Sequence, residues 1–554
     1  EENLEKIRAE MIKNNLFILV MMIFLFSCTG KQKADLILHN GVVYTVDSAF
    51  TMAEAFAVAD GKIVAVGSNE EILSAYKSDS VIDAAGKAVF PGFIDAHCHF
   101  YGYGLNLTKA DLIGCKSEEE MISRVSAWAE KNPDGWVLGR GWDQNEWPSK
   151  KFPDKNKLDR LFPNRPVYLT RVDGHAALVN SEALRIAEIN SDTKVSGGKV
   201  ELVNGSPSGI LIDNAMDLVF GKIPAPSEKQ SEEALLKAQQ NCFAVGLTTV
   251  DDAGLSLETV RLIEKLQNDG TLKMRIYAML DPTEENFEAF QKPYSTDRLT
   301  VRSFKIYADG ALGSRGAWLL EPYSDDPQNR GLLLQDTSYY HLWAKRCKEN
   351  GFQLNVHAIG DAANELMLTV FALYNEKKND LRWRIEHAQV LAEKDIDMFG
   401  NYGIIPSVQT THATSDMNWA EERLGDRIRL AYAYKMLMQQ NGWIPLGTDF
   451  PVEFINPMFT FFAAVARQDA DCMPEAGFQT ENALTRKEAL RGMTIWAAMA
   501  NFEEKQKGSL EVGKAADFVI LDRDIMQCPI REARDAKVLR TVLNGATVFI
   551  VESL

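Results

Sequence analysis

Eight short apolar segments, each followed by a stretch of helical composition, run through the middle of the chain and limit the folds open to it. This alternation is typical of βα units around a parallel sheet. Eight units predict an α/β fold, a (β/α)8 TIM barrel, whose functional groups lie at the C-terminal ends of the strands. The segments are "AVFPGFIDAH", "LTTVDDAG", "MRIYAML", "VRSFKIYADG", "FQLNVHAIGD", "RWRIEHAQ", "GIIPSVQT" and "WIPLGTDF".

The predicted barrel occupies residues 91–504 and is interrupted early. About residues 100–240 lie between the first and second strand segments, a stretch far longer than an ordinary βα loop. We therefore expect an inserted, lid-like subdomain after the first strand.

Both ends of the chain have the pattern of antiparallel strands. The dipeptides Asn40-Gly41, Asp60-Gly61 and Asn544-Gly545 lie between alternating apolar segments. Such dipeptides accept the positive φ angles of tight hairpin turns, so each predicts a hairpin. We expect residues 28–90 and 505–554 to form the two parts of one small β-sandwich.

The first residues have the features of a secretory leader. "MIKNNLFILVMMIFLFSC" starts with a lysine near Met11 and has an apolar run, Leu16 to Phe26, that is shorter than the roughly 20 residues of a membrane span. Its last four residues, ending at Cys28, resemble the lipobox of bacterial lipoproteins. We expect residues 1–27 to be a signal segment and Cys28 to be lipidated, which would anchor the protein in the bacterial cell envelope on the periplasmic side. An ordinary signal with an incidental Cys28 is the alternative.

The overall composition limits the kinds of molecule that the protein is expected to bind. Of 554 residues, 46% are hydrophobic and 25% are charged, as in soluble globular proteins. The net charge of −17 argues against nucleic acid, because no basic excess neutralises phosphates. Seven irregularly spaced cysteines without a CxxC pair indicate neither a disulfide framework nor a thiolate zinc site. A small molecule is the expected partner; a homodimer is left open.

Four of the eight histidines and one aspartate fall at predicted strand ends. Residues i and i+2 of a strand point the same way, so His97 and His99 share a face. His357, His387 and Asp449 end three later strand segments. Neutral imidazoles and a carboxylate suit a divalent ion such as zinc. Single histidines in a core usually satisfy themselves by hydrogen bonds, but four at neighbouring strand ends favour a metal site.

Lys305 lies in the middle of the fourth strand segment, on the same face as Tyr307 and Asp309. Burying a charged lysine is costly, and burial lowers its pKa. The uncharged amine can react with carbon dioxide to give a carbamate, an anion able to bridge two metals. A lysine neutralised by Asp309 or by another buried acid is the alternative.

From about Ala34 onward the sequence resembles the amidohydrolase superfamily, in particular the amidohydrolase-3 branch that includes N-substituted formamide deformylases. The resemblance is carried by the ordered motifs "FPGFIDAHCH", "FKIYADGALGSRGA", "NVHAIGDAAN", "RIEHAQ" and "LGTDFPVE", and by the segments "GRGWDQNEWP", "RVDGHAALVN" and "SVQTTHATSDMNWAEERLG".

The resemblance implies two divalent metal ions, with zinc expected, and assigns their ligands. His97, His99 and Asp449 would hold one ion and His357 and His387 the other. N-carboxylated Lys305 would bridge the two.

It also implies a substrate pocket, with His175, Arg171, Trp142 and His412 at positions that resemble substrate-contacting residues. Asp309, Arg315 and Asp361 are expected to orient other groups of the site.

The expected reaction is hydrolysis of a non-peptide amide-type C–N bond in a small molecule. The nucleophile would be a hydroxide bridging the two metals, and Asp449 would take its proton and pass it to the departing nitrogen. An ester or phosphotriester hydrolase with the same centre remains an alternative. A deaminase is a weaker one, because Asp361 and Glu365 fit poorly the glutamate expected after the fifth-strand histidine. A metal-free binding lipoprotein would lack the complete ligand set.

Overall fold

A computed structural model of the protein describes residues 30–375 and 379–551. The predicted leader, residues 1–27, and the predicted lipidation site Cys28 lie outside the described residues. No helix in the described part is both long and apolar enough to cross a bilayer.

Eight parallel strands form the central barrel, as the sequence predicts. In chain order they are β1 (Phe93–Cys98), β2 (Leu247–Leu255), β3 (Arg275–Leu280), β4 (Leu299–Tyr307), β5 (Gln353–Ala358), β6 (Arg384–His387), β7 (Ile405–Gln409) and β8 (Leu446–Gly447).

Each barrel strand pairs in parallel with the next. The residues that follow β8 close the barrel against the end of β1. The amide of Asp449 donates to the carbonyl of His97, and the amide of His99 donates to the carbonyl of Phe450, both at 2.8 Å. Parallel strands present their carboxyl ends on one side of the barrel, where the predicted ligands lie.

Helices between the strands bury apolar side chains against the barrel in one large core. Helix Leu257–Asn268 begins after Ser256, whose Oγ accepts a hydrogen bond from the amide of Thr259. The helix buries Val260 and Ile263, three residues apart on one face. The barrel helices are Phe100–Asn106, Glu228–Ala244, Leu257–Asn268, Glu284–Ala289, Thr337–Asn350, Asp361–Tyr374, Ile396–Tyr402, Thr410–Asp416, Ala420–Leu424, Tyr434–Asn441, Pro457–Ala466, Arg486–Gly492 and Ile495–Ala500.

The first predicted strand segment, "AVFPGFIDAH", is two strands rather than one. Its first half, Ala88–Pro91, belongs to a sheet outside the barrel, and β1 starts only after Gly92. A side chain at Gly92 would place its Cβ 2.3 Å from Oγ1 of Thr248, so only glycine fits between the two sheets.

Both chain ends meet in one six-stranded sheet. The C-terminal strand Phe518–Leu521 pairs antiparallel with the N-terminal strand Ala88–Pro91. A second, four-stranded sheet contains only N-terminal strands, and one buried cluster draws side chains from both sheets. The six strands are, in sheet order, Ala546–Ile550, Val538–Leu543, Phe518–Leu521, Ala88–Pro91, Val42–Tyr44 and Met52–Ala53, and the four are Lys62–Gly67, Ala55–Ala59, Leu36–His39 and Val81–Asp83.

Two of the three predicted hairpins form and one does not. The strands on either side of Asp60-Gly61 pair antiparallel, as do those around Asn544-Gly545. The hairpin predicted at Asn40-Gly41 is wrong: Leu36–His39 and Val42–Tyr44 lie in different sheets. Asn40 has the positive φ of 56° that the dipeptide favours, but the turn passes the chain from one sheet to the other.

A separate six-stranded sheet lies between β1 and β2 in the chain, within the stretch predicted as an insertion. It has its own buried clusters, so it is packed independently of the barrel core. Its strands are Ala110–Asp111, Val137–Trp142, Val167–Arg171, Ala176–Val179, Ser206–Asp213 and Gly198–Val203, and its helices are Glu118–Lys131, Asn156–Leu161, Ser181–Ile186 and Asp217–Phe220.

Candidate metal centre

The two histidines at the end of β1 reach the same place. His97 is fully buried, whereas the side chain of His99, the residue after β1, is 30% exposed. Cys98 between them points the other way and packs in the barrel core, as strand alternation requires. The ring centroids of His97 and His99 are 5.8 Å apart.

Glu386 fixes the orientation of His97. Its Oε2 lies 2.7 Å from Nδ1 of His97, and both side chains are fully buried. Burial alone would raise the pKa of Glu386, but His97 and then Arg384 hold it below the ordinary value. The ionised carboxylate therefore accepts from Nδ1–H, which leaves the lone pair on Nε2 of His97. Nε2 lies 3.7 Å from Oδ1 of Asp449.

Three more predicted ligands come from other strands. His357 is the last residue but one of β5, His387 is the last residue of β6, and Asp449 follows β8. The ring centroid of His387 is 4.6 Å from that of His357 and 5.1 Å from that of His97. One ligand atom each from His97, His387 and Asp449 lie within 4.8 Å of one another, the spacing of a metal site.

Two of these ligands sit on left-handed backbone. His387 has φ of 71° and Asp449 has φ of 62°. Residues other than glycine adopt this conformation at a cost on the order of 1–3 kcal/mol when it is imposed, and such residues concentrate at functional sites. At His387 it ends the alternation of β6, so Glu386 and His387 both approach His97.

Lys305 lies on β4 inside the barrel and is 1% exposed. Its Nζ is 3.2 Å from Nε2 of His97 and 4.8 Å from the ring centroid of Tyr307. Within the described residues it forms no ion pair with a carboxylate, so the predicted partner Asp309 does not neutralise it. Burial lowers the pKa of Lys305 to about 8, although Glu386 and Asp449 act in the opposite direction.

The charge states suit a divalent cation. Burial holds the pKa of His357 and of His387 well below the ordinary value, so both rings are neutral. Burial raises the pKa of Asp449, but His99, His97 and His412 outweigh it, and the group stays ionised. Oδ1 of Asp449 is buried with no hydrogen-bond donor among the described residues, although it lies 3.3 Å from Nε2 of His99. Neutral imidazole nitrogens that converge with an unsatisfied carboxylate oxygen fit a metal such as zinc.

Three of the predicted substrate residues line a cavity of about 850 Å³ that opens above this centre: Arg171, His175 and His412. Nδ1 of His175 lies 2.7 Å from Oδ1 of Asp213, and the ring is 4.9 Å from that of His357. Nε2 of His412 lies 3.6 Å from Oδ2 of Asp449 and has no hydrogen-bond partner within the part of the chain that the structure describes. Arg171 is held by Gln144 and by ion pairs with Asp143 and Asp173.

Trp142, the fourth predicted substrate residue, does not line this cavity. It is fully buried in the core of the inserted sheet, against Trp147 and Phe152. Its indole N–H donates to the carbonyl of Leu169 at 2.8 Å. The structure gives Trp142 a packing role, which the aromatic-rich segment around it does not distinguish from substrate contact.

The three residues expected to orient the site make different kinds of contact in the structure. Asp309 accepts three backbone hydrogen bonds, from Trp318, Ile359 and Gly360, and so holds the chain just after His357. Arg315 pairs instead with Asp325, and Asp361 accepts from the amide of Leu320 at 2.8 Å.

Sequence reasoning missed three polar partners of the site: Glu386 on His97, Asp213 on His175 and Gln409, whose Oε1 lies 2.7 Å from Nδ1 of His387. Strand alternation could have found Glu386, because it shares a face with the inward-pointing Arg384. Gln409 ends the neighbouring strand β7, so its place at the end of the segment "GIIPSVQT" was an available signal, whereas Asp213 lies in the inserted sheet and has no local signal.

Comparison with known families and proteins gives a consistent result. A family model described as "Amidohydrolase family" matches residues 80–549. The amidohydrolase YtcJ of Bacillus subtilis (strain 168) is 32% identical over 526 residues, covering 92% of this chain and 98% of its own. The N-substituted formamide deformylase of Arthrobacter pascens is 27% identical over 547 residues, covering 93% and 98%.

Among solved structures, an uncharacterized metal-dependent hydrolase from Pyrococcus horikoshii OT3 is similar along almost its whole length. It superposes with a TM-score of 0.73 at 27% identity and covers 89% of this chain and 99% of its own.

Proposed function

Because the chain belongs to the amidohydrolase family, we propose that it is a metal-dependent hydrolase that cleaves a non-peptide amide-type C–N bond in a small molecule. One observation carries the proposal. Six side chains predicted as ligands converge from five barrel strands or from the residues directly after them: His97, His99, Lys305, His357, His387 and Asp449.

We propose that these residues hold two divalent ions, and that both ions are zinc. His97, His99 and Asp449 would hold one ion, and His357 and His387 the other. Lys305, carboxylated on Nζ, would bridge them, since an uncharged buried amine is the form that reacts with carbon dioxide. Bound metals supply an activated water at neutral pH and polarise the substrate carbonyl.

Asp449 performs the proton transfers in this proposal. Its Oδ1 faces His97 and His99, which leaves Oδ2, the oxygen nearest His412, to accept a proton from the nucleophile. The same oxygen then donates that proton to the departing nitrogen. His412 and His175 lie on either side of the centre, where their ring nitrogens can orient the substrate carbonyl.

The geometry favours this reaction over deamination. In a deaminase, an acidic residue soon after the β5 histidine would act on the substrate. Here Asp361 is bound to the amide of Leu320, and Glu365 forms an ion pair with Lys394 at 2.5 Å. Neither of them lines the cavity above the centre in the described part of the chain. The formamide deformylase among the relatives agrees with an amide substrate.

The test is a hydrolysis screen with the purified, metal-loaded protein. N-formyl, N-acyl and cyclic amides should be cleaved, and Asp449→Asn should lower kcat by about 10²–10⁴-fold, the usual contribution of a general acid–base. Paraoxon-type phosphotriesters and simple esters form the comparison set. Turnover of those compounds without turnover of any amide would refute the proposed bond.

A further inference from the structure

A second cavity adjoins the one above the metal centre. It has a volume of about 1290 Å³, larger than the 850 Å³ of the first, and lies between the inserted sheet and the barrel. Seven residues line both cavities and so form the boundary between them, here called the passage: Leu105, Lys109, Arg140, Gly174, His175, Phe220 and Tyr307.

Two of the shared residues are cations placed side by side. Lys109 precedes the strand Ala110–Asp111, and Arg140 lies on the neighbouring strand, where it pairs in register with Asp111. Both line the passage between the cavities, although neither contacts the predicted metal ligands.

Neither cation has an anionic partner in the described part of the chain. Nζ of Lys109 donates to the side-chain oxygen of Asn106 at 2.8 Å, and Nη2 of Arg140 donates to the carbonyl of Val172 at 3.1 Å. Nε of Arg140 is buried and has no hydrogen-bond partner among residues 30–375 and 379–551. Within the described residues, no carboxylate lies within 4.0 Å of either side chain, in contrast to Arg171 nearby, which has two. A partly buried pair of cations that lacks a counter-ion is costly, and an anion in the passage would offset that cost.

The neighbouring acids are already engaged or exposed. Asp213 is bound to His175 through Oδ1 only, its Oδ2 being buried without a hydrogen-bond partner among the described residues, and Asp173 is bound to Arg171. Asp217 and Glu233, which also line the second cavity, are solvent-exposed. Burial and, to a lesser degree, the charge of Arg140 together lower the pKa of Lys109 to about 8.

The rest of the second cavity is largely apolar. Leu138, Tyr168, Met216, Ile223 and Tyr339 form much of its wall. A cavity of this size accommodates a chain or ring system, and apolar walls with few fixed polar groups are typical of small-molecule sites.

We propose that the substrate is an amide that carries a carboxylate, that Lys109 and Arg140 bind this carboxylate, and that an apolar group of the same molecule fills the second cavity. The inference rests on the proposed function for the amide. The proposed binding of the carboxylate does not depend on the amide chemistry, because it is argued only from the two cations that line the passage.

The first test measures binding without turnover. 4-Phenylbutyrate and 4-phenylbutanol share an apolar tail and differ in charge. Calorimetry on the metal-loaded protein should show the carboxylate binding about 10- to 100-fold more tightly, as expected for charge-assisted hydrogen bonds. Arg140→Gln and Lys109→Met should each lose most of this preference, and Arg140→Lys should keep part of it. Arg185→Gln, which removes one charge at a surface position of the inserted subdomain paired with Glu182, is the matched control and should change nothing.

The second test uses catalysis. N-formylphenylalanine and N-formyl-2-phenylethylamine differ only in the carboxylate and release the same formate. Wild type should cleave the first with a kcat/KM about 10- to 100-fold higher, and the difference should lie in KM.

The outcomes separate the two proposals. A carboxylate that bound equally well to wild type, Arg140→Gln and Lys109→Met would be bound by the metals instead, and the inference would be wrong. Hydrolysis of amides without any preference for the charged member would overturn the inference and leave the proposed function standing. A carboxylate preference lost in both variants, in a protein that hydrolyses no amide, would overturn the proposed function alone.

Discussion

At the scale of single residues, the centre depends on side chains whose charge is set by burial. His357 and His387 are neutral because the barrel interior disfavours the imidazolium ion, and Asp449 is ionised because three histidines surround it. Lys305 differs from the other predicted ligands, because a lysine side chain is ordinarily a cation. A cation at this place would repel metal ions.

We expect Lys305→Ala to lose bound metal and hydrolytic activity together while the fold persists, because the anionic bridge is gone. Lys305→Arg should not recover either property, since guanidinium stays charged and cannot be carboxylated. The measurement is elemental analysis, with about two ions per chain expected in wild type. Short carboxylic acids added to Lys305→Ala should restore part of the metal content. An unchanged metal content in Lys305→Ala would mean that Lys305 has a structural role and does not bridge metals.

Metal uptake should depend on pH through Lys305. Its pKa is lowered to about 8 in the folded protein, so the reactive uncharged amine predominates above that pH and the ammonium ion below it. The rings of His357 and His387 stay neutral across this range, because burial holds their pKa values well below the ordinary value. Metal-free protein in bicarbonate should therefore take up metal progressively faster as pH rises through about 8. Lys305→Ala supplied with a short carboxylic acid is the control, and the same rise there would assign the effect to another group.

At the scale of elements, strand ends and the loops after them decide where ligands point. The loop after β5 is held by Asp309, which accepts backbone hydrogen bonds from Trp318, Ile359 and Gly360. Gly360 cannot carry a side chain, because its Cβ would lie 1.9 Å from the carbonyl of Trp318. The carboxylate thus fixes the backbone that follows His357.

Asp309→Ala should destabilise the protein by about 2–4 kcal/mol, because three buried amides lose their acceptor. Metal affinity should fall as well, through misplacement of His357. Thermal unfolding of the metal-free protein measures the first effect, and titration with zinc measures the second. Asp134→Asn, at an exposed position in the inserted subdomain, should be neutral in both. A loss of metal affinity with no loss of stability would make Asp309 a ligand instead of a support.

At the scale of the whole molecule, distant parts of the chain complete one another. The N- and C-terminal strands share a sheet, and that sheet is tied to the barrel by the buried ion pair of Arg275 with Asp517, 2.7 Å apart. The amide of Asn544 donates to the same Asp517. Neither end of the chain can therefore bury its apolar face without the other.

Deleting residues 505–554 should expose the edge of Ala88–Pro91 and destabilise residues 30–90, although those residues remain in the chain. Limited proteolysis should then cut within residues 30–90 under conditions in which the full chain resists. Val512→Ala, at an exposed position within the deleted range, is the control. A truncated chain with unchanged proteolysis and melting would contradict this pairing.

The location of the protein is a separate prediction. We propose that Cys28 is lipidated and that the enzyme is anchored at the cell envelope, on the basis of the apolar run that ends in Leu25-Phe26-Ser27-Cys28. Cys28→Ser should release the protein from the membrane fraction and remove the mass of the lipid from the mature chain. Cys115→Ser, at a buried free cysteine, is the control for loss of a thiol. Identical fractionation and mass in wild type and Cys28→Ser would exclude lipidation.

The sequence by itself determined the barrel and its candidate ligands. Periodic apolar segments specify strands locally, and parallel strands necessarily bring their carboxyl ends together, so residues such as His97, His357 and Asp449 could be grouped without coordinates. The inward direction of Lys305 followed from the same period of two.

Only the tertiary structure decided what depends on contacts between distant segments. The dipeptide Asn40-Gly41 fixes a turn but not which sheet receives each strand, since sheet pairing depends on partners far along the chain. Glu386 supports His97 across the barrel, Asp213 supports His175 within the inserted sheet, and the packing of Trp142 depends on neighbours in its own sheet. The unpaired cations Lys109 and Arg140 were invisible for the same reason: a missing counter-ion is a property of the space around a side chain, which a local sequence pattern does not contain.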